Sequence, residues 1–482
     1  MFYTAVTTCL FLFLVISIYL LKCSSYKICN RNGFIVLSIG YILHLIFTSS
    51  LALCQIYLLY FLVFIDVNTF DCLFHTTIVF YCVIESFFYL STIEEARLLN
   101  NRLLLKRPVL PNNYAEQIVD RLSNVYKGAQ NDFRACFTGW FNGIHQSSYD
   151  KIYEGNILDF LSMATFGVKT WNDLTKKKQK YIKNVLYKRY LKKYPEQRSN
   201  IKSGYNNQIQ LKHMYRDTIE YTHYPLMKYL LFGYVRCFSI MRMFYMGFRC
   251  QSIGQITFYV RKYSEKTKSL PPILFLHGLS FGTNNYISFL HRLTTLQRTI
   301  ILLEIPHSSL RIQTEVFPMS MIISSIEQLL ISLNVSSVAT IGHSYGTLIQ
   351  SCLIKQRSHL VDSQLAIFID PVCFLIFDAH YSENFVYRKS PPFTSCIDDL
   401  YLIYAIERHI CWYECNLWAE DIQQTHIRAH VFLSENDDIV PVSFVNEYLT
   451  KSNISTSVLP KLKHAQFVIS PVFQNEVLHV FI

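Results

Sequence analysis

The chain has 482 residues, room for two or three domains of ordinary size. At 51 % hydrophobic and 16 % charged residues it is too apolar for a wholly soluble protein, and the apolar excess sits at the front. The formal net charge of +11 comes with no recognition fold or stacking motif, which excludes nucleic acid as the partner.

Residues 3–21 and 33–65 carry no charge, and each run is long enough to cross a hydrocarbon core. Residues 72–84 are also uncharged and reach that length if the run continues to Leu90 with Glu85 inside it. Residues 1–92 therefore read as a membrane region of about three spans. A cleaved leader fits less well, because residues 1–22 lack a basic start and a small-residue cleavage site. With three spans, Lys22, Lys27 and Arg31 fall in the first loop, Asp66 and Asp71 in the second, and Arg97, Arg102, Lys106 and Arg107 in the following flank. Basic residues favour the cytoplasmic side, so everything beyond residue 93 is expected in the cytosol, and a fourth span would reverse this. The sequons at Asn334 and Asn453 are then accidental matches. The 14 cysteines are scattered without a Cys-x-x-Cys or a zinc-type array, which fits free thiols in a reducing compartment. Cys411 and Cys415 lie one helical turn apart, a spacing that suits packing.

Residues 93–250 read as a helical juxtamembrane region. Asn156 followed by Asp159 is expected to cap a helix running through Ile157, Leu158, Leu161 and Met163. Between Lys176 and Arg198 ten basic residues accompany a single acid, Glu196, while Ile182, Val185, Leu186 and Tyr190 recur at helical spacing. This is an amphipathic basic helix, with either a solvated face or one that meets an anionic leaflet. Pro225, in His223-Tyr224-Pro225-Leu226, suits the start of a further helix. Periodicity assigns no chemistry to this region.

From residue 251 the texture changes to an α/β domain. Short apolar runs at Ile256 to Val260, Ile273 to Leu276, Ile300 to Leu303, Val338 to Ile341, Leu365 to Ile369 and Ala429 to Leu433 alternate with helix-length segments. That alternation predicts a mostly parallel sheet covered on both faces, with reactive groups at the carboxyl ends of its strands. Ser344 lies in Gly342-His343-Ser344-Tyr345-Gly346 between one such strand and a helix over residues 347–354. A Gly-x-Ser-x-Gly run raises a serine on a tight strand-to-helix turn, where a Cβ at either glycine would clash.

A serine hydroxyl needs a base, and the base needs a carboxylate to orient it. Downstream of Ser344, the strand at 429–433 runs into Ser434-Glu435-Asn436-Asp437-Asp438-Ile439-Val440-Pro441, and His464 precedes the last helix. Asp370, at the end of the strand before, is a second acid in reach, although a strand-ending turn explains Asp370-Pro371 as well. Residues 255–482 resemble the α/β-hydrolase superfamily on these motifs and on Pro271-Pro272-Ile273-Leu274-Phe275-Leu276-His277-Gly278-Leu279. The resemblance implies an α/β-hydrolase fold with Ser344 as nucleophile, His464 as base and Asp437 as acid, with Ser434 where a glycine is usual. It implies backbone N–H donors at Leu279 and Tyr345 for the oxyanion, a loop-shaping role for His277, and a cap at 372–425. His307 is a strand-end histidine that either lines the pocket or sits in solvent.

The run from His277 to Tyr286, with Gly139-Trp140-Phe141-Asn142, His223 to Leu226 and Cys411 to Trp418, is similar to a branch of membrane-anchored eukaryotic α/β hydrolases frequent in fungi. The aromatic cap suits an acyl chain, although most of its rings are expected to pack the cap onto the sheet. The expected activity is hydrolysis of a lipid-like carboxylic ester at the bilayer, with no cofactor and no metal. Acyl transfer by the same triad and a non-catalytic membrane scaffold are the alternatives.

Overall fold

The computed structural model describes residues 72–102, 113–126, 137–142, 149–193, 201–263, 270–279, 281–388 and 398–481. The first two predicted spans, at 3–21 and 33–65, lie outside the described residues.

Eight strands form the central sheet: β1 (Arg249–Ile253), β2 (Ile256–Arg261), β3 (Ile273–Leu276), β4 (Ile300–Glu304), β5 (Val338–His343), β6 (Val361–Ile369), β7 (Ala429–Ser434) and β8 (Ser455–Leu459). Their order is β1-β2-β4-β3-β5-β6-β7-β8. Strand β2 runs antiparallel to β1 and β4, and every other pairing is parallel. Parallel strands need crossovers and therefore helices on both faces, so both faces must be apolar. The central strands comply. Leu274, Leu276, Val338, Phe368 and Val431 enter one core, while Ile273, Phe275, Ala339, Ile341 and Ile367 enter the other. The first face is covered by helices Met319–Ser332 and Gly346–Arg357, and the second by Ile287–Leu293 and Pro471–His479.

Two edge strands lie outside the predicted set. Strand β1 has the sequence Arg-Cys-Gln-Ser-Ile and is mostly exposed, and β8 reads Ser-Thr-Ser-Val-Leu with one buried residue. A polar strand at a sheet edge has no apolar run or strict alternation to announce it. Five of the six predicted strands match within two residues, β3 at both ends, while β6 begins four residues before its predicted start at Leu365.

The helical region has its own core, in which Phe137, Ile157, Leu158, Ile182, Leu186 and Tyr190 are buried together. Here Asn156 does cap the helix, but from its third position instead of the residue before it. Helix Glu154–Phe166 begins two residues earlier, and Asn156 sits inside its first turn, where Oδ1 accepts the N–H groups of Tyr153 and Asn206. Asp159 accepts the Trp171 N–H at 2.7 Å. The basic helix forms from Lys176 to Lys193, with a wider turn at Ile182–Tyr187, and buries Ile182, Leu186 and Tyr190 as its spacing predicts. Part of its charge is paired within the chain: Arg189 meets Asp120 at 2.7 Å, and Lys183 meets Glu154 at 3.2 Å.

This helical body docks on the segment between β6 and β7. Trp140 Nε1–H donates to the Phe377 carbonyl at 3.2 Å, Lys212 Nζ meets Glu383 at 2.7 Å, and Arg121 meets Asp421 at 3.0 Å. One described helix, Thr76–Asn101, is long and apolar enough to cross a membrane, with a mean hydropathy of 1.5 over its most apolar window. Glu85 within it is fully buried and accepts the Leu226 N–H at 3.0 Å, with His223 Nε2 at 3.2 Å. The His223-Tyr224-Pro225-Leu226 interruption thus receives the one acid of the third predicted span.

Candidate active site

Ser344 occupies the turn between β5 and helix Gly346–Arg357 with φ +49°, a left-handed conformation that costs any residue other than glycine. The turn holds because its glycines leave no alternative filling. A Cβ on Gly346 would stand 2.1 Å from the Leu276 carbonyl oxygen, and one on Gly342 would stand 2.2 Å from Gln350 Oε1. The Ser344 N–H is fixed by the Ile369 carbonyl at 3.0 Å. The hydroxyl thus stands at the carboxyl edge of the sheet.

Ser344 Oγ lies 2.8 Å from His464 Nε2, and His464 Nδ1 lies 2.7 Å from Asp437 Oδ2. The consistent proton assignment has Oγ–H donating to Nε2 and Nδ1–H donating to the carboxylate. Asp437 Oδ1 accepts the N–H groups of Ile439 and Val440 at 2.8 and 2.9 Å, which fixes the carboxylate plane in the loop after β7. The neighbouring Asp438 points to Arg388, 2.8 Å away. Three residues that are 93 and 27 positions apart are brought together in this relay.

Asp370 is buried at the end of β6, and its two oxygens accept the N–H groups of Ser434 at 3.0 Å and Ala465 at 2.9 Å. It ties the acid loop to the histidine loop without a hydrogen bond to His464. Donor atoms of Asp370, Asp437 and His464 all lie within 4.8 Å of one another. Every carboxylate oxygen in the group already accepts a hydrogen bond from an amide or from the imidazole, which leaves poor provision for a cation.

His343, between the glycine and the serine, is buried and neutral: burial lowers its pKa against the opposing pull of Asp370. Its Nδ1 lies 2.6 Å from the Tyr286 hydroxyl, which also accepts the Gly278 N–H at 2.9 Å. One tyrosine therefore joins the loop carrying Leu279 to the turn carrying Ser344. No acceptor among the described residues takes up the backbone N–H of Leu279 or Tyr345. His277 shapes this loop, accepting the Ile305 N–H through Nε2 at 3.0 Å with Nδ1 2.8 Å from the Gly278 carbonyl oxygen. His307 is buried, so the solvent reading is corrected. Its Nε2 lies 3.1 Å from the Tyr345 hydroxyl, and burial pushes its pKa down to about 3.

Burial alone would lower the His464 pKa, but Asp437, with Asp370 and Asp438 behind it, outweighs this and pushes it up to about 9. If His464 is the base, which works only when neutral, kcat/KM for ester cleavage should climb about tenfold per pH unit below this value and level off above it. The stability term has the opposite sign. A raised folded-state pKa stabilises fully below the unfolded value and is lost as pH rises through the folded one. A pH profile of kcat/KM that is flat from pH 6 to 9 would refute this charge arrangement.

A cavity of ≈ 180 Å³ opens at Ser344, Tyr345 and Leu279. The segment between β6 and β7 supplies one wall through Ile376, Phe377, Ile410 and Trp412. The opposite wall comes from the helical body, through Val119, Phe137, Trp140, Phe160, Leu161 and Tyr190. Sequence reading assigned these residues no chemistry. The Gly139-Trp140-Phe141-Asn142 motif was their one visible signal. The remaining cap aromatics, Tyr401, Tyr404, Tyr413 and Trp418, are buried in packing.

No protein-family model matches the sequence, and no curated protein matches it. Similar solved structures include a membrane phospholipase A described as a bacterial virulence factor, at 13 % identity over 52 % of this chain and 90 % of that one, TM-score 0.38. A putative lipase from Acinetobacter baumannii is 16 % identical over 51 % of this chain and 95 % of that one, TM-score 0.36. The carboxylesterase CesB from Bacillus subtilis is 13 % identical over 53 % of this chain and 99 % of that one, TM-score 0.36. No chemistry transfers from them at such identity and score. The strand order, the single antiparallel second strand and the serine turn after β5 decide the architecture. This is an α/β-hydrolase fold. The segment between β6 and β7 and the helical body 113–215 both line the cavity at Ser344.

Proposed function

We propose that the chain is a membrane-anchored serine hydrolase that cleaves a carboxylic ester with an apolar acyl group. The observation that carries this reading is the relay from Ser344 through His464 to Asp437, placed at the mouth of an apolar cavity. Ser344 Oγ attacks the ester carbonyl as His464 Nε2 takes its proton, and Asp437 stabilises the imidazolium that forms. The Leu279 and Tyr345 N–H groups receive the oxyanion. His464 returns the proton to the departing alcohol, and water, deprotonated by the same nitrogen, then attacks the acyl-enzyme and releases the acid. The helix Thr76–Asn101 supports anchoring, and the basic residues at 22–31 and 97–107 support a cytosolic catalytic domain. The motifs shared with the membrane-anchored branch of the superfamily belong to the same reading.

Apolar burial contributes roughly 0.8 kcal/mol per methylene, so kcat/KM should rise about fourfold for each methylene added until the cavity is filled. Aryl esters from acetyl to palmitoyl, presented in detergent micelles, measure this directly. Ala164→Phe, which narrows the wall contributed by the helical body, should move the optimum to shorter chains. A preference for acetyl, or cleavage of peptides alone, would remove the acyl-chain substrate.

A further inference from the structure

Helix Leu226–Tyr245 is turned inside out. Its inward side packs on the segment that follows the Leu279 loop: Phe232 meets Phe281 edge-on at 4.8 Å, and the Ser239 hydroxyl bonds to Asn284. Its outward side carries Met227, Leu230, Tyr234, Met241, Phe244 and Tyr245, all exposed, with Leu230 at 57 % and Tyr245 at 92 %. At 3.6 residues per turn these six positions fall within an arc of about 100°. A soluble helix of this pattern would bury that arc and wet the other face. The helix contains no Asp or Glu, and its charges are Lys228, Arg236 and Arg242, all partly buried.

The neighbouring helix indicates what covers the arc. Helix Thr76–Asn101, long and apolar enough to span a membrane, holds the start of this one through the Leu226 N–H to Glu85 bond and the edge-on contact of Phe88 with Tyr229 at 5.8 Å. It too exposes large apolar side chains, among them Phe80, Phe87 and Leu90. Its charged end begins at Glu94, nine residues or about 14 Å along the axis beyond Glu85. The second helix therefore starts within the apolar stretch of the first, and its exposed arc continues a face that a bilayer would cover. Interfacial helices lie about 5–10 Å into the boundary between headgroups and acyl chains, with basic residues on the flanks of an apolar face. An all-basic helix suits an anionic leaflet.

We infer that helix Leu226–Tyr245 lies in the surface of an anionic bilayer, with the arc from Met227 to Tyr245 among the acyl chains. This placement does not rest on the hydrolase reading. It sets the membrane one helix thickness from the loop that carries Leu279.

The test uses the full chain reconstituted in phosphatidylcholine–phosphatidylserine vesicles, with a fluorescent amino acid incorporated at position 230 or 241. The control position is 331, where Ile331 is exposed at the amino edge of the parallel strands, opposite the site. Lipids brominated in the acyl chain should quench the probe at least twofold at 230 and 241 but not at 331, and aqueous acrylamide should do the reverse. Acrylamide quenching at 230 and 241 equal to that at 331 would leave the arc in water and overturn the proposal. Shielding of 230 and 241 from both quenchers would overturn it too, because protein would then cover the arc, either residues 1–71 or a second copy. Loss of ester hydrolysis in the Ser344→Ala chain leaves these quenching ratios unchanged, so the two readings fail separately.

Discussion

Ser344→Ala is expected to abolish labelling by a fluorophosphonate probe and to reduce ester hydrolysis on the order of 10⁶-fold while the protein still folds. The change removes one hydroxyl that makes one side-chain hydrogen bond, to His464 Nε2 at 2.8 Å. The left-handed backbone at φ +49° strains serine and alanine alike, so the turn gains no new cost. The Ser344 N–H bond to Ile369 and the glycines that shape the turn are untouched. What disappears is the hydroxyl that His464 Nε2 bonds. His464→Ala should lose a comparable factor, because base and nucleophile act as one unit and the second removal adds little to the first. Unchanged labelling of Ser344→Ala, with the melting temperature preserved, would sink the assignment.

Three carboxylates surround His464, and their substitution should separate them by readout. Asp437→Asn is expected to lower kcat on the order of 10⁴-fold, since an amide at 2.7 Å from Nδ1 favours the wrong tautomer. Asp438 faces Arg388 at a partly exposed site, so Asp438→Asn should change kcat only a few-fold. Asp370→Asn should act mainly on stability. Both of its oxygens accept backbone N–H groups, and an amide nitrogen facing one of them leaves a buried donor unsatisfied at a cost of about 1–3 kcal/mol. The signature is a lowered Tm with a modest loss of kcat, measured by thermal melts and single-turnover acylation. A larger loss of kcat at Asp370 than at Asp437 would move the acid to the end of β6.

The centre of the sheet was legible because parallel strands buried on both faces must be unbroken apolar runs, as in Ile273–Leu276. The serine turn was legible for a related reason, since its backbone tolerates no Cβ at Gly342 or Gly346. Where a residue type is forced by geometry, sequence reports it. Strands β1 and β8 carry no such constraint, and their polar edges look like loop. Asn156 announced the cap but misplaced the helix start, because a side chain that can cap from the residue before a helix also caps from the third residue inside it, where it accepts the Tyr153 N–H. The far wall of the cavity was hidden differently. Val119, Trp140, Phe160 and Tyr190 come from separate elements and meet only in three dimensions, and each alone reads as an ordinary core residue. Glu85 looked like a flaw in a span until its partners, the Leu226 N–H and His223, appeared 141 and 138 residues away.

The cavity at Ser344 lies where two cores meet, one against the sheet and one within residues 115–209, and helix Tyr114–Tyr126 joins them by giving Ile118 and Val125 to the first and Ala115 and Val119 to the second. An acyl chain lying in it would touch both and serve as shared interior, a temporary piece of hydrophobic mortar. Anything that binds the closed arrangement and not the parted one stabilises it by mass action. The empty protein would then be held at this seam by Ile118 and Val125 and by its polar struts, Trp140 to Phe377, Lys212 to Glu383 and Arg121 to Asp421, and would breathe there first. Cargo and cohesion would rise and fall together, and the step that frees the product would also be the step that loosens the roof.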